Sequence, residues 1–219
     1  MNRRAGVVTV YGDLACPFAT LVLHGLRTAR ARLARPVRFD LRAFPLELVN
    51  RRPHDLDLIE REKAVLAAAE PGLDWRRWRG DRNAWPITTL LPLEAIQAAK
   101  HPEVGGLPAS DALDAALRRA LLLDSRCIAL LPVVLEVAEE VSDMDRGALA
   151  GALRHGHGRA DVLDQADLAA RHVVRASPHV FTPDGRDWIN PGIDLDHDGD
   201  FAILKRYDPH VFEEILRAA

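Results

Sequence analysis

The chain has 219 residues, 48% of them hydrophobic and 28% charged, and a formal net charge of -3. That length buries a core without disulfide staples, and the near-neutral balance excludes the strongly basic face of a nucleic-acid binder. No run is long and apolar enough for a membrane span. The start, Met1-Asn2-Arg3-Arg4, leads into neither a long apolar stretch nor a small-residue cleavage site, so a cytoplasmic protein is expected.

Residues 6–11 are β-branched and aromatic, which predicts a buried first strand. Gly12 to Pro17 then reads as a turn. A helix is predicted over 18–33, where Leu21, Val22, Leu26, Ala29 and Leu33 recur at helical spacing. Residues 36–44 alternate apolar and polar up to Pro45, a second strand, so the first fifty residues form a βαβ unit with a parallel pair. From about 58 to 172 the pattern is helical, with stretches near 59–69, 91–101, 109–123, 127–141, 145–155 and 160–174. Ser110 and Asp145 are placed to cap two of these helices. Runs such as Glu60-Arg61-Glu62-Lys63 read as a solvated helix face. Strands return at 179–182 and 186–190, joined by the turn Pro183-Asp184-Gly185. An acidic loop and a closing helix over 209–218 complete an α/β plan of βαβ, helical block and ββα.

Two cysteines are present, Cys16 and Cys127. In a reducing compartment two free thiols are the default, and two cysteines alone do not make a zinc site. Cys16 follows a strand and stands at the mouth of a helix, with Pro17 suited to the first turn. Unpaired N–H groups there stabilise a thiolate, so the thiol pKa is expected to fall below that of a free cysteine. The plainer alternative is a small buried hydrophobe, which is also the preferred account of Cys127.

The segment Asp13-Leu14-Ala15-Cys16-Pro17-Phe18-Ala19 resembles the active-site segment of the DsbA-like branch of the thioredoxin superfamily, which includes FrnE-type oxidoreductases. Ser177-Pro178 before a strand resembles that branch's cis-proline loop, and the likeness extends over nearly the whole chain. It implies a thioredoxin-like fold formed by 1–57 and 173–219, interrupted by an α-helical insertion domain over 58–172. It also implies Cys16 as the nucleophile, with Pro17, Phe18, Ala19, Ser177 and Pro178 around the substrate. The family pattern is Cys-x-x-Cys, and here Ala19 stands in the second position. Cys16 therefore has no neighbouring sulfur to resolve a mixed disulfide, and an external thiol must do so.

The implied activity is thiol–disulfide oxidoreduction by one cysteine, acting on a small thiol or disulfide, a peptide or a small molecule. No tightly bound cofactor or metal is expected, and a low-molecular-weight thiol is the candidate co-substrate. Nucleic acid and membrane are not expected partners, and the oligomeric state is left open. A second reading resembles the kappa-class glutathione transferases and hydroxychromene-carboxylate isomerases, where the protein's own thiol is accessory. A third is a binding module that has lost catalysis. Trp75, Trp78 and Trp85 either wall a substrate pocket or simply pack, and His24 reads as a surface or packing residue. Asp194-x-Asp196-x-Asp198-Gly199 imitates a calcium loop but has Lys205 where the last ligand belongs, so it reads as a solvated acidic turn. His155-Gly156-His157-Gly158 reads as a glycine-broken helix end rather than a metal clip.

Overall fold

The structure is a computed structural model and describes residues 4–33, 36–199 and 201–219. The N-terminal residues 1–3, on which part of the leader reading rests, lie outside the described residues. Strand β1 (Val7–Gly12), helix α1 (Pro17–Arg32) and strand β2 (Arg38–Ala43) form the expected βαβ unit. β1 and β2 pair in parallel, from Val7 opposite Arg38 to Gly12 opposite Ala43. β3 (His179–Phe181) and β4 (Asp187–Ile189) add antiparallel strands, giving one sheet in the order β2-β1-β3-β4. β1 is central because its Val8 and Val10 are buried and its backbone is paired on both sides.

Nine helices are present among the described residues. After β2 come α2 (Leu46–Val49), α3 (Leu56–Ala69), α4 (Leu90–Ala99), α5 (Gly106–Leu122), α6 (Leu131–Ala138), α7 (Arg146–Arg154) and α8 (Arg159–Ala170). The chain closes with α9 (Val211–Arg217). α4 is buried from Pro92 to Ala99 and touches β2, α5, α7 and α8, so it is the hub of the helical block. One apolar cluster runs from Val8 and Val10 of β1 through α4 and α5 to Phe212 of α9. No helix among the described residues is long and apolar enough to cross a membrane.

Several sequence expectations are corrected. Ser110 does not cap α5: the helix begins earlier, after Gly105, and the Ser110 hydroxyl donates to the Ile96 carbonyl at 2.9 Å. Asp145 does cap α7, accepting from Ala148 N at 2.9 Å. The helix expected over 127–141 is only Leu131–Ala138, because Pro132 lacks an N–H and suits the first turn, so Cys127 lies in the preceding loop. The acidic segment is not a loop. It is an antiparallel hairpin of β5 (Ile193–Asp198) and β6 (Phe201–Tyr207), a separate two-stranded sheet. Ile193, Leu195 and Leu204 turn inward against Cys16, Phe18 and Leu66, while Asp196 pairs with Lys205 at 3.0 Å.

α1 and α9 approach closely because Gly25 has no side chain. A Cβ there would stand 2.1 Å from Cε2 of the buried Phe212. Gly25→Ala gains about 1 kcal/mol of helix propensity but overpacks the contact at about 1–3 kcal/mol. A net loss of stability is expected in a urea melt, and an unchanged midpoint would mean that Phe212 swings aside freely.

Candidate functional site

Cys16 is the N-cap of α1, and its Sγ accepts from Ala19 N at 3.4 Å. The preceding strand delivers it there, and Pro17 at the first helical position has no N–H of its own to leave unpaired. The thiol donates to the Ser177 carbonyl at 3.1 Å, and the Ser177-Pro178 bond that follows is cis. Ser177 Oγ accepts from Asp13 N at 2.9 Å, so two segments far apart in sequence are joined twice. His179 steadies the second segment from behind: its Nδ1 accepts from Arg175 N at 3.2 Å and its Nε2 faces Asp187 at 2.8 Å.

Two groups that sequence reasoning missed hold the thiol loop. Asp13 is fully buried, and its carboxylate accepts from Ala15 N, Leu46 N and Thr89 Oγ1 at 2.9, 2.8 and 3.0 Å. Arg118, on α5, donates to the Asp13 carbonyl at 2.9 Å and to Thr20 Oγ1 at 3.0 Å. Its Nε binds Asp114, which also takes Arg27 at 2.7 Å. Burial works to raise the Asp114 carboxyl, but Arg118 and Arg27 outweigh it and hold it below the usual range. The helical block thus reaches under the strand-to-helix turn that presents Cys16.

A cavity of about 250 Å³ opens over the thiol. Cys16, Phe18 and Ser177 line it together with Leu46, His54 and Glu62. Pro17 and Ala19 are not in its wall: they form the first turn behind Cys16, and Pro178 follows Ser177 outside the lining. Nor do the three tryptophans line it. Trp85 donates to the His54 carbonyl at 3.0 Å and meets Trp78 edge to face, while Trp75 packs into the core. His24 and Cys127 are likewise outside the lining. A larger cavity, of about 570 Å³, lies between β2, α4 and α8, but its lining offers no thiol or hydroxyl and its Lys100 is already bound to Asp40.

The thiol is not activated in the expected direction. Cys16 is only 6% exposed, and burial, joined by the Glu62 carboxylate, pushes it up to about 11. The bonds to Ser177 and Ala19 pull the other way and are outweighed. Glu62 lies in the stretch read as a solvated face, yet burial pushes its carboxyl up to about 7. Lys63 beside it is buried too, bound to Glu60 at 2.7 Å.

No family model and no curated protein matches the sequence. Solved structures do match. A "probable DsbA oxidoreductase" from Streptomyces coelicolor is 15% identical, covers 96% of this chain and 88% of its own, and superposes with a TM-score of 0.65. The cytosolic disulfide reductase DsbM from Pseudomonas aeruginosa, solved with GSH, is 16% identical over 96% of this chain and 97% of its own, with a TM-score of 0.59. A 2-hydroxychromene-2-carboxylate isomerase is 19% identical over 83% and 87%, also with a TM-score of 0.59. At such identities the likeness is one of fold. The chain therefore has the mixed α/β, thioredoxin-type fold with a helical insertion that these DsbA-like proteins share.

Proposed function

We propose that the protein is a thiol-dependent disulfide oxidoreductase of the FrnE-type, DsbA-like kind, working in the cytoplasm through Cys16 alone. The observation that carries this reading is the Cys16 thiol at a helix N-cap, bonded to the carbonyl that precedes a cis-proline, beneath an open cavity. Sγ would attack a disulfide and hold one half as a mixed disulfide, releasing the other half as a thiol. Ala19 occupies the place where a second cysteine would resolve it, so a small cellular thiol would complete the cycle. Ser177 and Pro178 would position an extended substrate, with Phe18 at its side and Pro17 and Ala19 shaping the turn. The neighbours of the same fold, described as an oxidoreductase, a reductase and an isomerase, support a redox or thiol-dependent enzyme.

The test is adduct formation in a Cys127→Ser background. Incubation with a small aromatic disulfide is expected to give one mixed disulfide per chain, at Cys16, released by added small thiol. No adduct even after prolonged incubation at a pH near 11, where the thiol is ionised, would sink the proposal. The glutathione-dependent isomerase reading is favoured by one observation, the high pKa of the thiol, which suits an accessory role. It predicts small-thiol binding and turnover that survive Cys16→Ser.

A further inference from the structure

The thiol above needs somewhere to send its proton, and the cavity contains a candidate that rests on the proposed function. Three acids stand near Cys16. Asp13 already accepts from three donors and is not in the cavity wall. Asp55 caps α3, accepting from Asp57 N and Leu58 N. Glu62, on α3, lines the cavity with Cys16 and makes no hydrogen bond or ion pair among the described residues. The cations next to it in sequence are turned elsewhere: Lys63 binds Glu60, and Arg61 donates to the Asp57 carbonyl.

We propose that Glu62 is the proton-transfer group for Cys16, reached through a water in the cavity. As Sγ attacks one sulfur of the disulfide, the new S–S bond forms and the old one breaks. The thiol proton passes to the Glu62 carboxylate, and the departing thiolate then takes it, leaving a free thiol and a carboxylate ready for the next step. Resolution by an external thiol runs the same transfer in reverse, with the proton ending on Cys16.

A carboxyl pushed up to about 7 is part ionised at neutral pH, so it serves as base and acid alike. The other ionisable groups lining the cavity with it are Cys16 on α1 and Arg52, His54 and Asp55 in the segment leading to α3, while the Arg61 charge on its own helix draws its carboxyl down but is outweighed by burial. His54 is committed by its Nε2, which lies 3.2 Å from Thr89 Oγ1.

The experiment compares the parent protein with Glu62→Gln, both carrying Cys127→Ser. It measures the rate of mixed-disulfide formation against pH, and separately the midpoint of alkylation by iodoacetamide. Proton transfer predicts that Glu62→Gln slows exchange at pH 7 by about 100-fold and removes an inflection near 7. The alkylation midpoint should fall, because a like charge has gone. Glu62→Asp should recover part of the rate. A Glu62→Gln protein that exchanges as fast as the parent, or faster, with the inflection intact would overturn the proposal and leave Glu62 as a like charge only. If the parent itself forms no adduct, the proposed function has failed and this role falls with it, a result distinct from a loss confined to the variant.

Discussion

Arg118→Ala is expected to lose about 3–5 kcal/mol of stability, the usual consequence of removing one partner from a buried ion pair. The Arg118 guanidinium binds Asp114 and also holds the Asp13 carbonyl and the Thr20 hydroxyl. Its removal leaves Asp114, which is almost wholly buried, with Arg27 alone, and frees the backbone just before Cys16. The urea midpoint should therefore drop, and Cys16 should label faster as the turn loosens. Arg118→Lys keeps the charge but loses the fork, so it should recover only part of the stability. A loss under about 1 kcal/mol would show that the turn holds itself without α5.

Cys16 is expected to alkylate with a midpoint near 11, not below that of a free thiol. The competing effects differ in size. A helix N-terminus contributes about 0.3–1 kcal/mol, less than one pKa unit, whereas full burial moves a group by up to about 3–5 units. With its pKa at about 11, the thiol is about 10⁻⁴ ionised at pH 7, against about 3% for a free cysteine. Labelling at pH 7 should then be about 300-fold slower than for a free cysteine. The sign for stability follows. A raised folded-state value favours the native protein fully below the unfolded pKa near 8.5, and that contribution, up to about 3 kcal/mol, is lost as pH rises toward 11. A labelling midpoint under 8.5 would mean that the helix terminus outweighs burial after all.

Local patterns carried much of the architecture. The βαβ unit, the turn at Pro183-Asp184-Gly185 and the placing of Cys16 at a helix start all follow from near neighbours in sequence. The β5–β6 hairpin was hidden because Asp194, Asp196 and Asp198 suggest a solvated turn. Ile193 and Leu195, alternating with them, are the inward half of the same two-residue pattern. Arg118 and Asp114 look like an ordinary surface pair one helical turn apart. Only tertiary packing, across 105 residues, brings Arg118 to Asp13. Glu62 was invisible for the same reason: a charge run gives no sign of which member faces a cavity.

The hydrogen bond from Cys16 to the Ser177 carbonyl has a consequence for the order of events. A carbonyl oxygen has two acceptor positions, and in the reduced protein one is taken by the protein's own S–H. That hydrogen disappears once Sγ forms a bond to another sulfur. An incoming backbone N–H seeking that position therefore competes with the thiol before capture and meets no rival after it. Under the proposed function, grip on a substrate chain would tighten at the moment the covalent link is made and relax when the link is cut, so that release would be built into the step that regenerates the thiol.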